Sequence, residues 1–240
     1  MNIKEIDIQT KDILYGRRNL PQFNQPEHAG VCSAGPLLIG ALIVCNITRE
    51  SLSASSHAAG SERTSPSNWQ IDEAQEQAVQ QWAEAKGVWV ADAEEMLTQT
   101  YGPMMAQGAE AKVYGQSGDT HVVKARTSIY ATLERALEAI ALHNWLFPES
   151  IMRVFGFTRD ADGLFRILLT QPYIECKRLA LKSEIDDMVA AMGFHDNGDG
   201  NGVNYISGRH HLEDMHPANV FVEPLTDTPI CIDCIIKFRR

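Results

Sequence analysis

Apolar and polar positions divide the chain into a readable part and a less readable one. Asn68 to Lys86 has helical spacing, with Ile71, Ala74, Ala78, Trp82 and Ala85 on one face and Glu and Gln opposite. Gly87 is placed to stop that helix. Val88-Trp89-Val90 reads as a short strand or docking segment, and Asp92 to Thr100 as a second short helix. Two strands follow, ending near Tyr114 and running from His121 to Ala125, joined by a turn at Gly115 to Gly118. Ser128 to Trp145 carries a helical stripe of Ile129, Leu133, Ala136, Leu137 and Ile140, ended by Pro148. Two more strands, Ile151 to Thr158 and Leu164 to Thr170, flank a turn at Asp160 to Gly163. Strand, strand, helix, strand, strand in this order predicts an α+β fold: a small antiparallel sheet with one helix packed on it.

Downstream, Gln171 to Ile174 reads as an extended link. Lys182 to Met192 reads as an amphipathic helix with Ile185, Met188, Val189 and Met192 at helical spacing. Val203 to Ile206 and Arg209 to Leu212 form a predicted hairpin. Apolar runs Val220 to Val222 and Pro229 to Ile236 follow. Upstream, Pro36 to Ile47 is apolar enough for a buried strand or a short helix, and its periodicity does not choose between them. Thr48 to Ser67 turns to Ser, Ala, Gly and Thr, the composition of a linker, which puts a boundary near Ser65.

Composition narrows the picture. A net charge of −10 and a pI near 5.2 argue against broad binding to nucleic acid or anionic membranes. No run reaches the ~18 consecutive apolar residues expected of a membrane span, and the start of the chain lacks the order of a signal peptide. Cys32, Cys45, Cys176, Cys231 and Cys234 show no disulfide spacing, so reduced thiols and a cytoplasmic location are expected. Cys231-x-x-Cys234 suggests zinc, but a second pair is missing. Asn197, Asp199, Asn201 and Gly202 imitate a calcium loop, yet Gly208 stands where a bidentate Glu is required. Asp72, Glu73 and Glu76 read as a solvated acidic face without partners.

The chemistry gathers near the C-terminal end. Asp214 and Asn219 lie on a short Pro-containing segment before a strand, and Asp233 sits in the next apolar run. An Asp, an Asn and a second Asp at this spacing is how a phosphotransferase presents a base and two oxygen ligands for Mg²⁺. Asp, Asn and Pro are equally the residues of an ordinary turn. Upstream, small residues at Ala106, Gly108 and Ala111 would let backbone N–H groups approach phosphate oxygens, and Lys124 ends an apolar strand.

These residues resemble the protein-kinase-like superfamily from about Ala106 to Ile236. Gln107-Gly108-Ala109-Glu110-Ala111-x-Val113-Tyr114 is similar to the Gly-rich loop of small atypical kinases such as that of the KEOPS complex, with Ala106 and Ala111 in place of the outer glycines. Val122-Val123-Lys124 resembles the kinase lysine strand, and Gln171 to Ile174 the adenine hinge. Asp214-x-His216-Pro217-x-Asn219-Val220 is similar to the catalytic loop of aminoglycoside and choline phosphotransferases, and Ile232-Asp233-Cys234 stands where Asp-Phe-Gly is expected. The layout is closest to the serine/threonine/tyrosine kinase domain of polyvalent proteins of phages and mobile elements.

The resemblance implies a minimal two-lobed fold. Residues 1–66 would be an extension and 67–240 a kinase-like domain, with an N-lobe of about 88–170, a hinge at 171–174 and a truncated helical C-lobe at 175–240. It implies ATP and Mg²⁺, with Gly108, Ala111, Val113, Lys124, Glu138, Gln171 and Tyr173 around the nucleotide and Asn219 and Asp233 on the metal. Asp214, His216 and Lys124 would be catalytic. Lys124 would pair with Glu138, or alternatively with Glu134. The expected activity is transfer of the γ-phosphoryl group to a hydroxyl on an unidentified protein or small molecule. The alternative is a pseudokinase, a nucleotide-binding interaction module without turnover. No nucleic-acid or membrane partner is expected.

Overall fold

Residues on β3 (His121–Arg126) point alternately to its two sides, and that alternation positions everything around the site. Val123 and Ala125 are buried on one face, against Leu97 of α4 (Ala93–Tyr101). Val122, Lys124 and Arg126 lie on the other. The structure, a computed structural model, describes residues 2–25, 28, 34–58, 66–127 and 130–239. Cys32, Ile129, the expected helix start at Ser128, the boundary at Ser65 and part of the expected linker fall outside them.

β3 is central in a five-stranded sheet of order β1-β2-β3-β5-β4, antiparallel throughout. The other strands are β1 (Met104–Gln107), β2 (Ala111–Tyr114), β4 (Arg153–Arg159) and β5 (Phe165–Pro172). β1 was not anticipated: its four residues are all exposed, so it has no inward-facing pattern to read. Val88 to Val90 docks on β4, with Val90 N donating to Phe157 O at 2.9 Å and Phe157 N to Val88 O at 3.1 Å. Gly156 permits that approach, because a Cβ there would meet Val88 O at 2.9 Å.

α5 (Leu133–Leu146) shares a core with β4 and β5 through Leu137, Ile140, Phe157 and Leu169. It starts at Leu133, with the Thr132 hydroxyl and Asp72 Oδ1 accepting first-turn N–H groups. α3 (Asn68–Lys86) has the expected span and ends on Gly87 in the left-handed conformation. Its inner face is rotated from the expected one: Gln75, Val79, Trp82 and Ala83 are buried while Ala85 is exposed. Gln75 goes inside because its amide finds Cys45 O and Glu134 Oε2, both at 3.1 Å.

The N-terminal region departs most from expectation. α1 (Ile3–Leu14) was not predicted. α2 (Pro36–Ala58) runs through the first half of the expected linker. The hydroxyls of Thr48, Ser51, Ser53 and Ser55 fold back onto carbonyls four residues earlier at 2.8–2.9 Å, so a Ser-rich tail stays helical. Contrary to the composition reading, its stretch Pro36–Ser55 is long and apolar enough to cross a membrane, and half of that stretch is buried inside the protein. Leu38, Ile39 and Ala41 to Cys45 pack in the core with α1, α3 and α5.

After β5 the expected helical part is mostly strand. α6 (Lys182–Ala191) is the one α-helix described there. β6 (Arg178–Leu179), β10 (Val220–Val222) and β11 (Pro229–Cys231) form a sheet of order β11-β10-β6. β7 (His195–Asp196), β8 (Tyr205–Ile206), β9 (His210–Glu213) and β12 (Ile235–Phe238) form another, of order β12-β9-β8-β7. Positive φ at Gly193, Gly198, Gly200 and Gly202 breaks any helical run between α6 and β8. The calcium-like segment is a turn closed on itself: Asp199 accepts from Asn201 N at 2.8 Å and Asn204 Nδ2 at 2.7 Å.

Candidate active site

A cavity of about 570 Å³ lies between the sheet and the segments after Gln171. Ten of the expected site residues line it: Gly108, Ala111, Val113, Lys124, Gln171, Tyr173, Asp214, His216, Asn219 and Asp233. Val113 pairs with Lys124 across β2 and β3, which sets loop and lysine side by side. Packing within the protein does not demand glycine at 108, since a Cβ would have its nearest neighbour, Ala111 O, at 4.0 Å.

Asp214 has φ 65°, a left-handed conformation that is uncommon for a residue other than glycine. Its N–H donates to Asn204 Oδ1 at 3.2 Å, and its carbonyl accepts from Asn219 Nδ2 at 2.9 Å. Met215 N, bonded to Val203 O at 2.9 Å, fixes the next peptide. Asn219 Nδ2 also reaches Asp214 Oδ2 at 2.9 Å. With its amide nitrogen committed to Asp214, Asn219 presents Oδ1 as its ligand atom. His216 Nδ1 accepts from Ala218 N at 3.2 Å, so Nε2 carries the proton and lies 3.4 Å from Asp214 Oδ1.

Asp233 is the electrostatic centre. Its Oδ2 is 3.6 Å from Lys124 Nζ, and its Oδ1 is 3.4 Å from Arg126 Nη1 and 3.0 Å from Cys234 N. Burial alone would raise this carboxyl; Lys124, Arg126 and His143 outweigh burial and hold it at about 2. Arg126 was missed. It is two residues from Lys124 on the same strand and therefore on the same face, a signal that was present in the sequence. It also pairs with Glu110 of the Gly108 loop at 2.9 Å. Lys124 Nζ donates to Ile232 O at 3.1 Å.

The expected Lys124–Glu138 pair is not formed, nor is the Glu134 alternative. Glu138 pairs with Arg135 at 3.0 Å and Glu134 with Arg49 at 3.2 Å, on the α5 face that meets α2 and α3. Burial raises the Glu138 carboxyl to about 7 despite Arg135. Two other expectations change. Asp72 and Glu76 are part-buried and have partners: Asp72 Oδ1 accepts Leu133 N at 2.6 Å, and Glu76 pairs with Arg159 at 2.9 Å.

In the expected hinge segment, Tyr173 N donates to Thr120 O at 3.0 Å. The Gln171 side chain is buried and donates to Ser150 O at 2.8 Å and Ile232 O at 2.9 Å. Gln171 thus acts on the cavity wall as a side-chain brace.

Hard oxygens at Asn219 and Asp233 suit a divalent ion such as Mg²⁺, and a glycine loop beside a lysine and an arginine suits phosphates. The family described as serine/threonine/tyrosine kinase found in polyvalent proteins matches residues 72–240. The chain belongs to that family, as the resemblance implied. No curated protein matches the chain.

Proposed function

We propose that this member of the polyvalent-protein kinase family is an ATP-dependent phosphotransferase that moves the γ-phosphoryl group to a hydroxyl on a protein or small molecule. The observation that carries this reading is the convergence of Lys124, Asp214, Asn219 and Asp233 on one cavity beside Gly108. The five-stranded sheet with its helices would be one lobe and residues 175–240 the other, hinged at 171–174. Residues 1–66 would extend the kinase-like unit of 67–240. A cytoplasmic location goes with free thiols at Cys45, Cys176, Cys231 and Cys234.

In this reading Lys124 and Arg126 bind phosphate oxygens, and Gly108 lets backbone N–H groups approach them. Asn219 Oδ1 and Asp233 would hold Mg²⁺, which when bound supplies positive charge against the β- and γ-phosphates. Asp214 orients the acceptor hydroxyl and takes its proton, with His216 Nε2–H beside it to fix the carboxylate. Gln171 and Tyr173 line the adenine end. Because the Tyr173 N–H is already bonded to Thr120 O, its contribution there is carbonyl and ring.

A second reading, a nucleotide-binding module without turnover, is favoured by one observation: Lys124 is paired with Asp233 and not with a helical glutamate. Calorimetry with ATP, with and without Mg²⁺, and a turnover assay separate the two. Asp214→Asn should keep Mg²⁺-ATP affinity and lower turnover by ~10²–10⁴-fold. Asp233→Asn should lose both. Mg²⁺-dependent binding with no turnover in the wild type supports the second reading. Unchanged nucleotide affinity in both variants, with equal losses of melting temperature, defeats the catalytic assignment.

A further inference from the structure

Beside Asp233, at the inner edge of the cavity, three buried side chains converge that the phosphotransferase chemistry does not use. They are His143 of α5, Cys231 at the end of β11 and Cys234 just before β12. The imidazole nitrogen and the two sulfurs lie within 4.8 Å of one another. The Cys-x-x-Cys pair lacked partners in sequence, and the fold supplies a third ligand from a distant helix.

We propose that His143, Cys231 and Cys234 bind a thiophilic divalent ion of the Zn²⁺ class. The hydrogen bonds around the imidazole set it up as a ligand. Ser150 Oγ donates to Cys231 O at 2.6 Å, and Ser150 O can only accept. His143 Nε2 lies 3.1 Å from that Oγ and 3.3 Å from that carbonyl, so Nε2 carries the proton. Nδ1 keeps its lone pair and faces Cys234 Sγ at 3.6 Å. A ring N–H held by a main-chain acceptor, which leaves the other nitrogen free to ligate, is the usual outer support of a metal-bound histidine.

Two sulfurs and an imidazole select Zn²⁺ over Mg²⁺, and the two-residue cysteine spacing suits a tetrahedral ion. Met215 Sδ, 3.8 Å from Cys231 Sγ, adds another soft atom beside the set. On binding, each thiol gives its proton to solvent and the sulfur forms a bond to the ion. Two thiolates and one divalent cation leave no net buried charge. Cys234 lines the cavity, which gives the ion a route in. The site does not depend on the phosphotransferase reading. Its ion would grip the main chain on both sides of Asp233 and fasten it to α5.

The test uses the full chain, reduced and stripped with a chelator, titrated with Zn²⁺ against a chromophoric competitor and with Co²⁺ as a spectroscopic probe. One ion per chain is expected, with a thiolate-to-Co²⁺ charge-transfer band and tetrahedral d–d bands. Zn²⁺ should raise the melting temperature where Mg²⁺ does not. Cys231→Ser, Cys234→Ser and His143→Asn should each weaken binding beyond the ~10–100-fold typical of an outer partner, and Ser150→Ala within that range. Cys176→Ser, at an exposed cysteine, should change nothing. Should the buried variants fail to fold, alkylation mapping of the wild type decides: Zn²⁺ should protect Cys231 and Cys234 and leave Cys176 reactive. No charge-transfer band, a band that survives in the Cys231→Ser/Cys234→Ser double variant, a Cys231–Cys234 disulfide in place of metal uptake, or no protection would overturn the site.

Discussion

The two sides of α5 treat buried carboxylates in opposite ways. Towards the cavity, Asp233 is held at about 2. Towards α2 and α3, Glu138 is raised to about 7. Both have a cation within reach, so the presence of a cation is not what separates them. Lys124 and Arg126 are themselves buried, with side chains 6% and 5% exposed, and both reach Asp233, although Arg126 is shared with Glu110. Arg135 and Arg49 are 21% and 41% exposed, and they face Glu138 and Glu134 together. A counter-ion offsets desolvation when it shares the low-dielectric surroundings, and Asp233 has two such cations where Glu138 has one partly exposed arginine.

The largest effect should come from taking the anion out of the cavity side. Asp233→Asn leaves Lys124 and Arg126 without their shared partner, and should cost ~3–5 kcal/mol in urea unfolding at pH 7. The sign follows from the lowered carboxyl. Its stabilisation is complete above the ordinary value of 3.8 and is lost as pH falls through about 2. The gap between wild type and variant should therefore hold from pH 8 to pH 5 and close in acid. A variant as stable as wild type at pH 7 would mean that the cavity side is no better compensated than the other.

Glu138→Gln should act in the opposite direction. A raised carboxyl favours the protonated folded state, so its contribution is complete below 4.5 and is lost as pH rises through about 7. The shift corresponds to ~3 kcal/mol. The variant should match wild type near pH 4.5 and exceed it at pH 8 in the same unfolding experiment. Equal curves at both pH values would remove the contrast.

Two smaller changes sharpen it. Asp72→Ala removes the acceptor for Leu133 N at the start of α5 and should cost ~0.5–2 kcal/mol, like the loss of an N-cap. Arg49→Met deletes a half-exposed partner of Glu134 and should change stability by ~0–1 kcal/mol. If Arg49→Met costs as much as Asp233→Asn, exposure is the wrong explanation for the difference.

What the sequence made legible follows the same division. The cavity residues lie on short strands and turns whose pattern is local, so Lys124, Asp214, Asn219 and Asp233 could be named and do meet. β2 to β5 and α3 were readable because turn glycines and apolar periodicity agree there. The other side of α5 was not, because it depends on which distant helix packs on it. Gln75 on the inner face of α3 breaks the apolar pattern, and Arg49 lies in a stretch that reads as linker. Glu138 was assigned to Lys124 by the kinase resemblance, but the donor-rich face made by Gln75 and Arg49 draws α5 glutamates away from the cavity. Arg126 and His143 show the remaining gap. Both belong to sites completed by residues roughly a hundred positions away.

The carbonyl of Ile232 is also a mechanical pin. Lys124 and Gln171 both donate to it from the sheet, Ser150 fastens the neighbouring Cys231 carbonyl, and Ile232 N holds Asn219 O at 2.9 Å. A clamshell rotation about residues 171–174 would shear these bonds together. β1 is held less tightly: it is an edge strand, exposed along its length, and has β2 as its one neighbour in the sheet, while β2 is fixed to β3 and the β1–β2 turn to Arg126 through Glu110. Opening of the cavity is therefore expected at its roof, by β1 peeling from β2, while its floor and back wall stay joined. Amide hydrogen exchange reads this directly: residues 104–107 should exchange through local opening, and Ile232 and Asn219 through the larger unfolding that frees β11. Were Ile232 to exchange as fast as Ala106, the pin would be loose and the two halves would part as a clamshell.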